Sequence, residues 1–293
     1  MEIAFKPAKE FLIGIDSDGC AFDTMELKHK ECFIPATIKH WGFQSVSKYA
    51  RETAEFVNLY SKSRGVNRFP ALIEVFERLA KRPEVLARGV RPVPPAEIVE
   101  WMNRETKLGN PALKAEVERT GDPMLTKTLA WSEEVNRVID QIVGEGVAPF
   151  PLVRESMEKA SQQADLLVVS ATPQAALVKE WENQGLAPFI AAICGQEIGT
   201  KKESLRFASE YPKNHTLMIG DAPGDYKAAC ANNALFFPIN PGEEEASWRR
   251  FFEEGADRFF AGTFAGAYQQ ELLDDFDRHL PVLPPWEREG DCR

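Results

Sequence analysis

The stretch FLIGIDSDG, residues 11–19, is the part of the sequence that decides the fold. The run from Phe11 to Ile15 contains no polar side chain and ends abruptly at Asp16-Ser17-Asp18-Gly19. A short apolar run that is bounded by turn residues is typical of a strand buried on both faces of a parallel sheet. Open α/β sheets bind ligands at the carboxyl ends of such strands, so we expect Asp16 and Asp18 to border a binding crevice.

Beyond residue 150, short apolar runs alternate with segments of helical periodicity. The predicted strands and helices are, in chain order, a helix over 153–161, a strand over 165–169, a helix over 174–184, a weaker strand over 190–193, a helix over 202–209, a strand over 216–219, a helix over 226–231 and a strand over 234–238. Alternation of this kind predicts an α/β fold with a doubly wound, Rossmann-like parallel sheet.

Residues 25–150 follow a different pattern, with helical periodicity, few strand-like runs and several breaks that contain Pro and Gly. Predicted helices cover 47–60, 71–79, 96–102, 113–119 and 131–143. We therefore predict an all-helical cap domain of residues 25–150, inserted into a core made of residues 1–24 and 151–293. The Pro-rich tail from residue 281 is predicted to be irregular.

Polar residues suited to phosphate chemistry follow the predicted strands. They are Asp16, Asp18, Ser170, Lys201, Lys202, Asp221 and Asp225. The ends of parallel strands converge on one edge of a sheet, so these side chains are expected to meet. Clustered carboxylates repel one another unless a cation lies among them, and hard oxygen ligands suit Mg²⁺. A metal ion, a lysine and hydrogen-bond donors are the parts that phosphoryl transfer requires.

Four motifs make this pattern specific. They are DSDGCAFDT at 16–24, LLVVS at 166–170, GTKKESL at 199–205 and IGDAPGD at 219–225. In content and in order they resemble the four motifs of the haloacid dehalogenase-like superfamily. The resemblance covers the predicted core, about half of the chain, and no motif in residues 25–150 matches.

The resemblance implies a role for each matching residue. Asp16 would be the nucleophile and a metal ligand, and Asp18 the general acid and then the general base, with its backbone carbonyl on the metal. Ser170 would hydrogen-bond a phosphoryl oxygen, and Lys201 would neutralise charge, with Lys202 as an alternative. Asp221 would bind Mg²⁺, and Asp225 would bind it directly or through water, or orient the lysine.

The same resemblance implies a Mg²⁺-dependent phosphatase that acts on a small phosphorylated metabolite through an aspartyl-phosphate. Asp18 favours phosphate esters, because family members that cleave carbon–halogen or carbon–phosphorus bonds usually lack this acid. A large cap favours a small-molecule substrate over a protein. Two alternatives stay open: a phosphomutase that uses the same residues, and a non-enzymatic phospho-acceptor or scaffold.

Residues 61–68, SKSRGVNR, form the most basic stretch of the predicted cap. One hypothesis is that Arg64 or Arg68 binds an anionic part of the substrate. The alternative is an ordinary exposed loop between two helices.

Composition excludes several other classes of function. A formal net charge of -10 is unfavourable for binding nucleic acid or anionic lipid. The longest apolar runs have about five residues, against the roughly 20 that span a bilayer, and no secretory signal is visible, so we expect a soluble cytoplasmic protein. Five cysteines without a CxxC pair indicate free thiols. No GxSxG, P-loop or GxGxxG motif occurs.

Overall fold

The computed structural model describes residues 5–144 and 146–287. The chain divides into two compact units, an α/β unit of residues up to 25 and 146–281, and a helical unit of residues 26–144 and 282–287. In the part of the chain that the structure describes, no helix is both long enough and apolar enough to cross a membrane.

The α/β unit is built on a five-stranded sheet in which every neighbouring pair of strands is parallel. The strands are β1 (Phe11–Ile15), β2 (Ala164–Val169), β3 (Ala192–Cys194), β4 (Thr216–Gly220) and β5 (Leu235–Pro238). They lie in the order β3-β2-β1-β4-β5. The order reverses direction at β1, the switch point at which such sheets open a crevice. The predicted α/β fold with a doubly wound parallel sheet is confirmed.

Strand β1 occupies the middle of this sheet, and all five of its residues are buried. Successive side chains point to opposite faces. Ile13 and Ile15 pack into one apolar cluster with Leu166 and Ile219, whereas Leu12 packs into a second cluster with Leu167. Burial on both faces explains why the strand reads as an uninterrupted apolar run rather than an alternating one.

The helices of the first part of the chain are α1 (Thr24–Leu27), α2 (Ile34–Trp41), α3 (Ser47–Leu59), α4 (Arg68–Leu79), α5 (Pro83–Ala87), α6 (Ala96–Arg104), α7 (Asn110–Thr120) and α8 (Pro123–Val143). A π-helical segment, Lys28–Phe33, joins α1 to α2. Local sequence sets several ends: Asn67 caps α4 and Asp122 caps α8, each through its side-chain oxygen. Gly42 and Gly121 adopt left-handed conformations that end α2 and α7.

The helices that flank the sheet are α9 (Val153–Ala160), α10 (Gln174–Asn183), α11 (Lys201–Ser204), α12 (Pro223–Ala231), α13 (Glu244–Arg250), α14 (Ala256–Phe260) and α15 (Ala267–His279). The predicted helix over 202–209 is corrected: α11 is one turn long and continues as a 3₁₀ helix, Leu205–Glu210. The three-residue period of a 3₁₀ helix brings Leu205 and Ala208 to the same side, and both are buried against the sheet.

The described end of the tail, residues 282–287, packs within the helical unit and not, as predicted, with the core. The prediction of an irregular tail is corrected in part, because Pro285–Glu287 form a 3₁₀ helix. Trp286 stacks on the guanidinium of Arg82 at 4.2 Å and meets the ring of Phe56 edge-on at 5.8 Å. Arg82 also lies over Tyr49 and pairs with Glu52 at 2.7 Å. A short Pro-rich segment carries no periodicity, so its sequence does not indicate which unit it joins.

We expect Trp286→Ala to lower the free energy of unfolding by about 1–3 kcal/mol, because the substitution removes a desolvated cation–π contact and a large packing surface. Urea denaturation followed by circular dichroism measures the change. Leu283→Ala, at a side chain that is 51% exposed, is the matched control and should change stability by less than about 0.5 kcal/mol. Equal losses in both variants would contradict the packing of the tail.

Candidate active site

Three buried aspartates meet at the carboxyl ends of β1 and β4. Ile15 pairs with Ile219, so the residues after these strands emerge at the same edge of the sheet. One carboxylate oxygen from each of Asp16, Asp221 and Asp225 lies within 4.8 Å of the others. Asp16 is 4% exposed and the other two at most 1%. Three carboxylates that lie this close together and are this well buried from solvent require positive charge among them.

The start of α12 holds Asp225 in this cluster. Its Oδ2 accepts a hydrogen bond of 3.0 Å from the backbone N–H of Ala222 and thereby caps the helix. Gly220 makes this approach possible, because a Cβ there would lie 2.4 Å from the Cβ of Asp225. The glycine of the fourth motif is therefore needed for close packing.

Lys201 is the cation of the cluster. Its Nζ donates to Asp16 Oδ2 and to Asp225 Oδ1, both at 2.6 Å. Thr200 fixes the start of α11 through a capping box with Glu203, which directs the first residue of the helix toward the sheet edge. Lys202, the alternative motif lysine, is exposed. The geometry thus supports Lys201 as the charge-neutralising residue.

Burial and mutual charge set the protonation of this cluster. Burial raises the pKa of Asp16 well above its usual range; Lys201 opposes this shift, and Asp225 and Asp221 add to it. Burial also raises the pKa of Asp225, and Lys201 opposes this shift. Burial by itself would lower the pKa of Lys201, but Asp16, Asp225 and Asp221 raise it above its usual value. Lys201 is therefore a fixed positive charge.

Asp18 accepts hydrogen bonds from two threonine hydroxyl groups. Thr24 donates its hydroxyl to Asp18 Oδ1, and Thr172 donates to Asp18 Oδ2 at 2.9 Å. The backbone N–H of Thr172 donates in turn to Ser170 Oγ at 3.2 Å. Ser170 is 3% exposed and follows β2 directly. The structure therefore links Asp18 to Ser170 through Thr172, as expected for residues at neighbouring strand ends.

The sequence alone did not identify Thr24 and Thr172 as partners of Asp18. Thr24 lies inside the first motif, and Thr172 lies two residues after Ser170, so both were near recognised positions. A threonine in a turn or at the start of a helix has no distinguishing pattern, because small hydroxyl residues are common at both places. Only the fold shows that both hydroxyls reach the same carboxylate.

The donor set of the aspartate cluster suits Mg²⁺. Asp16, Asp221 and Asp225 offer three hard oxygen atoms within 4.8 Å of one another, the ligand type that Mg²⁺ prefers. Three carboxylates against one ammonium leave two formal negative charges, which a divalent cation balances. The carboxylate of Asp18 does not belong to this group of three, so its predicted metal contact depends on its backbone carbonyl.

Both arginines of the basic stretch have partners in the helical unit. Arg64 is 2% exposed, and its Nη1 donates to the carbonyl of Leu59 at 2.8 Å. Arg68 Nη1 donates to Ser132 Oγ and to Asn136 Oδ1, both at 2.8 Å, and burial lowers the pKa of Arg68 to about 10. Arg64 is thus no exposed loop residue, and substrate binding by either arginine stays a prediction.

The known proteins to which this chain is similar are all solved structures. No model of a protein family matches the sequence, and no curated protein matches it. Among solved structures, the chain is similar to a haloacid dehalogenase-like hydrolase of Streptococcus pneumoniae, with 13% identity over 82% of this chain and 90% of that one and a TM-score of 0.46.

The chain is also similar to a candidate phosphoglycolate phosphatase of Lactobacillus delbrueckii, with 14% identity over 88% of this chain and 100% of that one and a TM-score of 0.48. A candidate hydrolase of the same superfamily from Bacillus subtilis, bound to magnesium, shares 17% identity over 80% of this chain and 88% of that one, with a TM-score of 0.42.

We expect Lys201→Met to lower the free energy of unfolding by about 3 kcal/mol in the presence of EDTA, because it leaves buried carboxylates without their cation. Urea denaturation at neutral pH measures the loss. Lys202→Met removes a neighbouring exposed lysine and should change stability by less than about 0.5 kcal/mol. If the two variants were equally stable, the buried ion cluster would not exist as described.

Proposed function

We propose that this chain is a haloacid dehalogenase-like hydrolase that cleaves phosphate monoesters of small metabolites with Mg²⁺. The observation that carries the proposal is the contact of Lys201 Nζ with both Asp16 and Asp225, at 2.6 Å each, beside the third buried carboxylate of Asp221. A nucleophile, a fixed cation and a set of hard oxygen ligands then share one edge of the sheet. These are the groups that phosphoryl transfer through an aspartate requires.

In the first step, a carboxylate oxygen of Asp16 attacks phosphorus, and the bond between phosphorus and the leaving oxygen breaks. Asp16 is held for attack by the N–H of Ser17, which donates to Oδ1 at 2.8 Å, and by Lys201 on Oδ2. The ammonium favours the ionised form of Asp16, in opposition to burial, and offsets negative charge on the phosphoryl group. Asp18 gives a proton to the leaving oxygen.

In the second step, water attacks the phosphorus of the aspartyl-phosphate, and the bond between phosphorus and Asp16 breaks. Asp18, now ionised, accepts the proton of that water. The hydroxyls of Thr24 and Thr172 hold both oxygens of Asp18, which fixes the orientation of the base. Ser170 Oγ, beside Thr172, would donate to a phosphoryl oxygen.

A divalent cation bound by Asp16, Asp221 and Asp225 would neutralise part of the charge on the phosphoryl group. The chain provides for it by holding these carboxylates rigidly: Asp225 caps α12, and Asp221 follows β4 directly. Residues 26–144 would act as the cap predicted from the sequence, and a cap of this size supports a small-molecule substrate.

We expect hydrolysis of p-nitrophenyl phosphate to require Mg²⁺ and to fall at least 1000-fold in Asp16→Asn, because the amide removes the nucleophile. Release of p-nitrophenol, followed with and without EDTA, measures this. A panel of metabolite phosphates extends the assay to substrates that the cap admits. Activity that survives in Asp16→Asn, or an inactive wild type across the panel, would overturn the proposal. Isomerised substrate without free phosphate would instead indicate a phosphomutase.

We expect Asp18→Asn to slow hydrolysis by about 10²–10⁴-fold, the usual contribution of a general acid–base group. The loss in the first step should be larger for an alkyl phosphate than for p-nitrophenyl phosphate, because p-nitrophenolate leaves readily without a proton. Rapid-quench measurement of phosphoenzyme formation with both substrates tests this.

Asp23→Asn is the matched control for this experiment, since Asp23 is an exposed aspartate of the same segment. Its rates should stay within about twofold of wild type. Equal losses for the two leaving groups in Asp18→Asn would argue against Asp18 as the proton donor.

A further inference from the structure

Ser17 separates Asp16 from Asp18, and its side chain is fully buried. Its hydroxyl has two partners on α10. It accepts a hydrogen bond of 3.0 Å from Trp181 Nε1 and donates one of 3.3 Å to Glu180 Oε2. A serine hydroxyl has one donor and a limited accepting capacity, so these two bonds define its orientation.

The backbone of Ser17 is fixed as well. Its N–H donates to Asp16 Oδ1 at 2.8 Å. Its carbonyl accepts from the N–H groups of Ala21 and Phe22, at 3.0 and 3.1 Å, which closes the turn after β1. Every polar atom of Ser17 therefore has a partner, and the turn that presents Asp16 and Asp18 is tied to α10 through one side chain.

Trp181 forms the fixed end of this link. Its side chain is fully buried, and its ring meets Phe22 edge-on at a centroid distance of 5.4 Å. The indole thus contacts the turn twice, by a hydrogen bond to Ser17 and by ring packing on Phe22. Thr172, just before α10, contacts the same turn through Asp18. Thr172 and Trp181, which both follow β2 in the chain, therefore hold the turn after β1 at two separate points.

We propose that Ser17 is a positioning residue of the active site, which Trp181 and Glu180 hold so that Asp16 and Asp18 keep their orientations. The inference rests on the proposed function and deepens it. Ser17 has no role in the bond changes themselves. Its loss would let the turn shift by a fraction of an ångström, and misplacement on that scale slows a reaction more than it weakens binding.

Three variants test the link. Trp181→Phe removes the N–H donor and keeps an aromatic ring, Ser17→Ala removes the hydroxyl, and the double variant removes both. We expect each single variant to lower kcat for p-nitrophenyl phosphate about tenfold with KM changed less than twofold. The double variant should also lose about tenfold rather than a hundredfold, because both changes break the same hydrogen bond between Trp181 and Ser17.

Trp131→Phe is the matched control. Trp131 is a buried tryptophan of the helical unit whose Nε1 donates to Thr37 Oγ1 at 3.1 Å. The Trp131→Phe variant loses the same kind of indole–hydroxyl hydrogen bond as Trp181→Phe. It should therefore be destabilised as much, while its kcat stays within about twofold of wild type.

The outcomes separate this proposal from the one on which it rests. An inactive wild type, or one that Asp16→Asn leaves unchanged, overturns the proposed function and the positioning role with it. An active wild type whose Ser17→Ala and Trp181→Phe variants match it in kcat overturns the positioning role alone. The same holds if the two losses multiply in the double variant, or if Trp131→Phe loses as much kcat as Trp181→Phe.

Discussion

The burial of three carboxylates beside one lysine is the constraint on which the site depends. An isolated buried charge is costly, so Asp16, Asp221 and Asp225 are tolerable only with positive charge among them. Lys201 supplies one such charge through two short contacts. The remaining negative charge would be balanced by the divalent cation of the proposed function. The carboxylates that make this edge of the sheet costly to bury are therefore the ones that the proposed function uses.

The sheet makes this arrangement possible because its strands are fully buried. Apolar side chains on both faces of β1 anchor it between two clusters, so the turn that follows begins from a rigid element. The neighbouring strands β2 and β4 are followed directly by the polar residues Ser170 and Asp221. Gly220 and the cap of α12 bring Asp225 to the same place. Rigid scaffolds of this kind hold reacting groups more accurately than loops do.

The site divides into two parts with different physical character. The aspartate cluster is highly charged, and burial raises the pKa values of Asp16 and Asp225. Asp18 instead accepts hydrogen bonds from the hydroxyl groups of Thr24 and Thr172. Two carboxylates separated by a single residue thus have different environments, and the proposed function gives them different tasks. Ser17, between them, anchors the turn to α10.

The sequence by itself determined the strands and the positions after them. An apolar run ended by Asp-x-Asp-Gly identifies β1 and its carboxyl end, because the period and the break are local properties of the chain. The parallel sheet and the convergence of Asp16, Asp221 and Asp225 then follow from the general geometry of α/β folds.

Only the tertiary structure decided which side chains touch. It brings Lys201 onto two carboxylates while its neighbour Lys202 is exposed, and it joins Thr172 to Asp18 and Trp181 to Ser17 across more than 150 residues. It also packs Trp286 of the Pro-rich tail on Arg82. These contacts depend on how helices pack against the sheet and on one another, and nothing in a local pattern of residues records that packing.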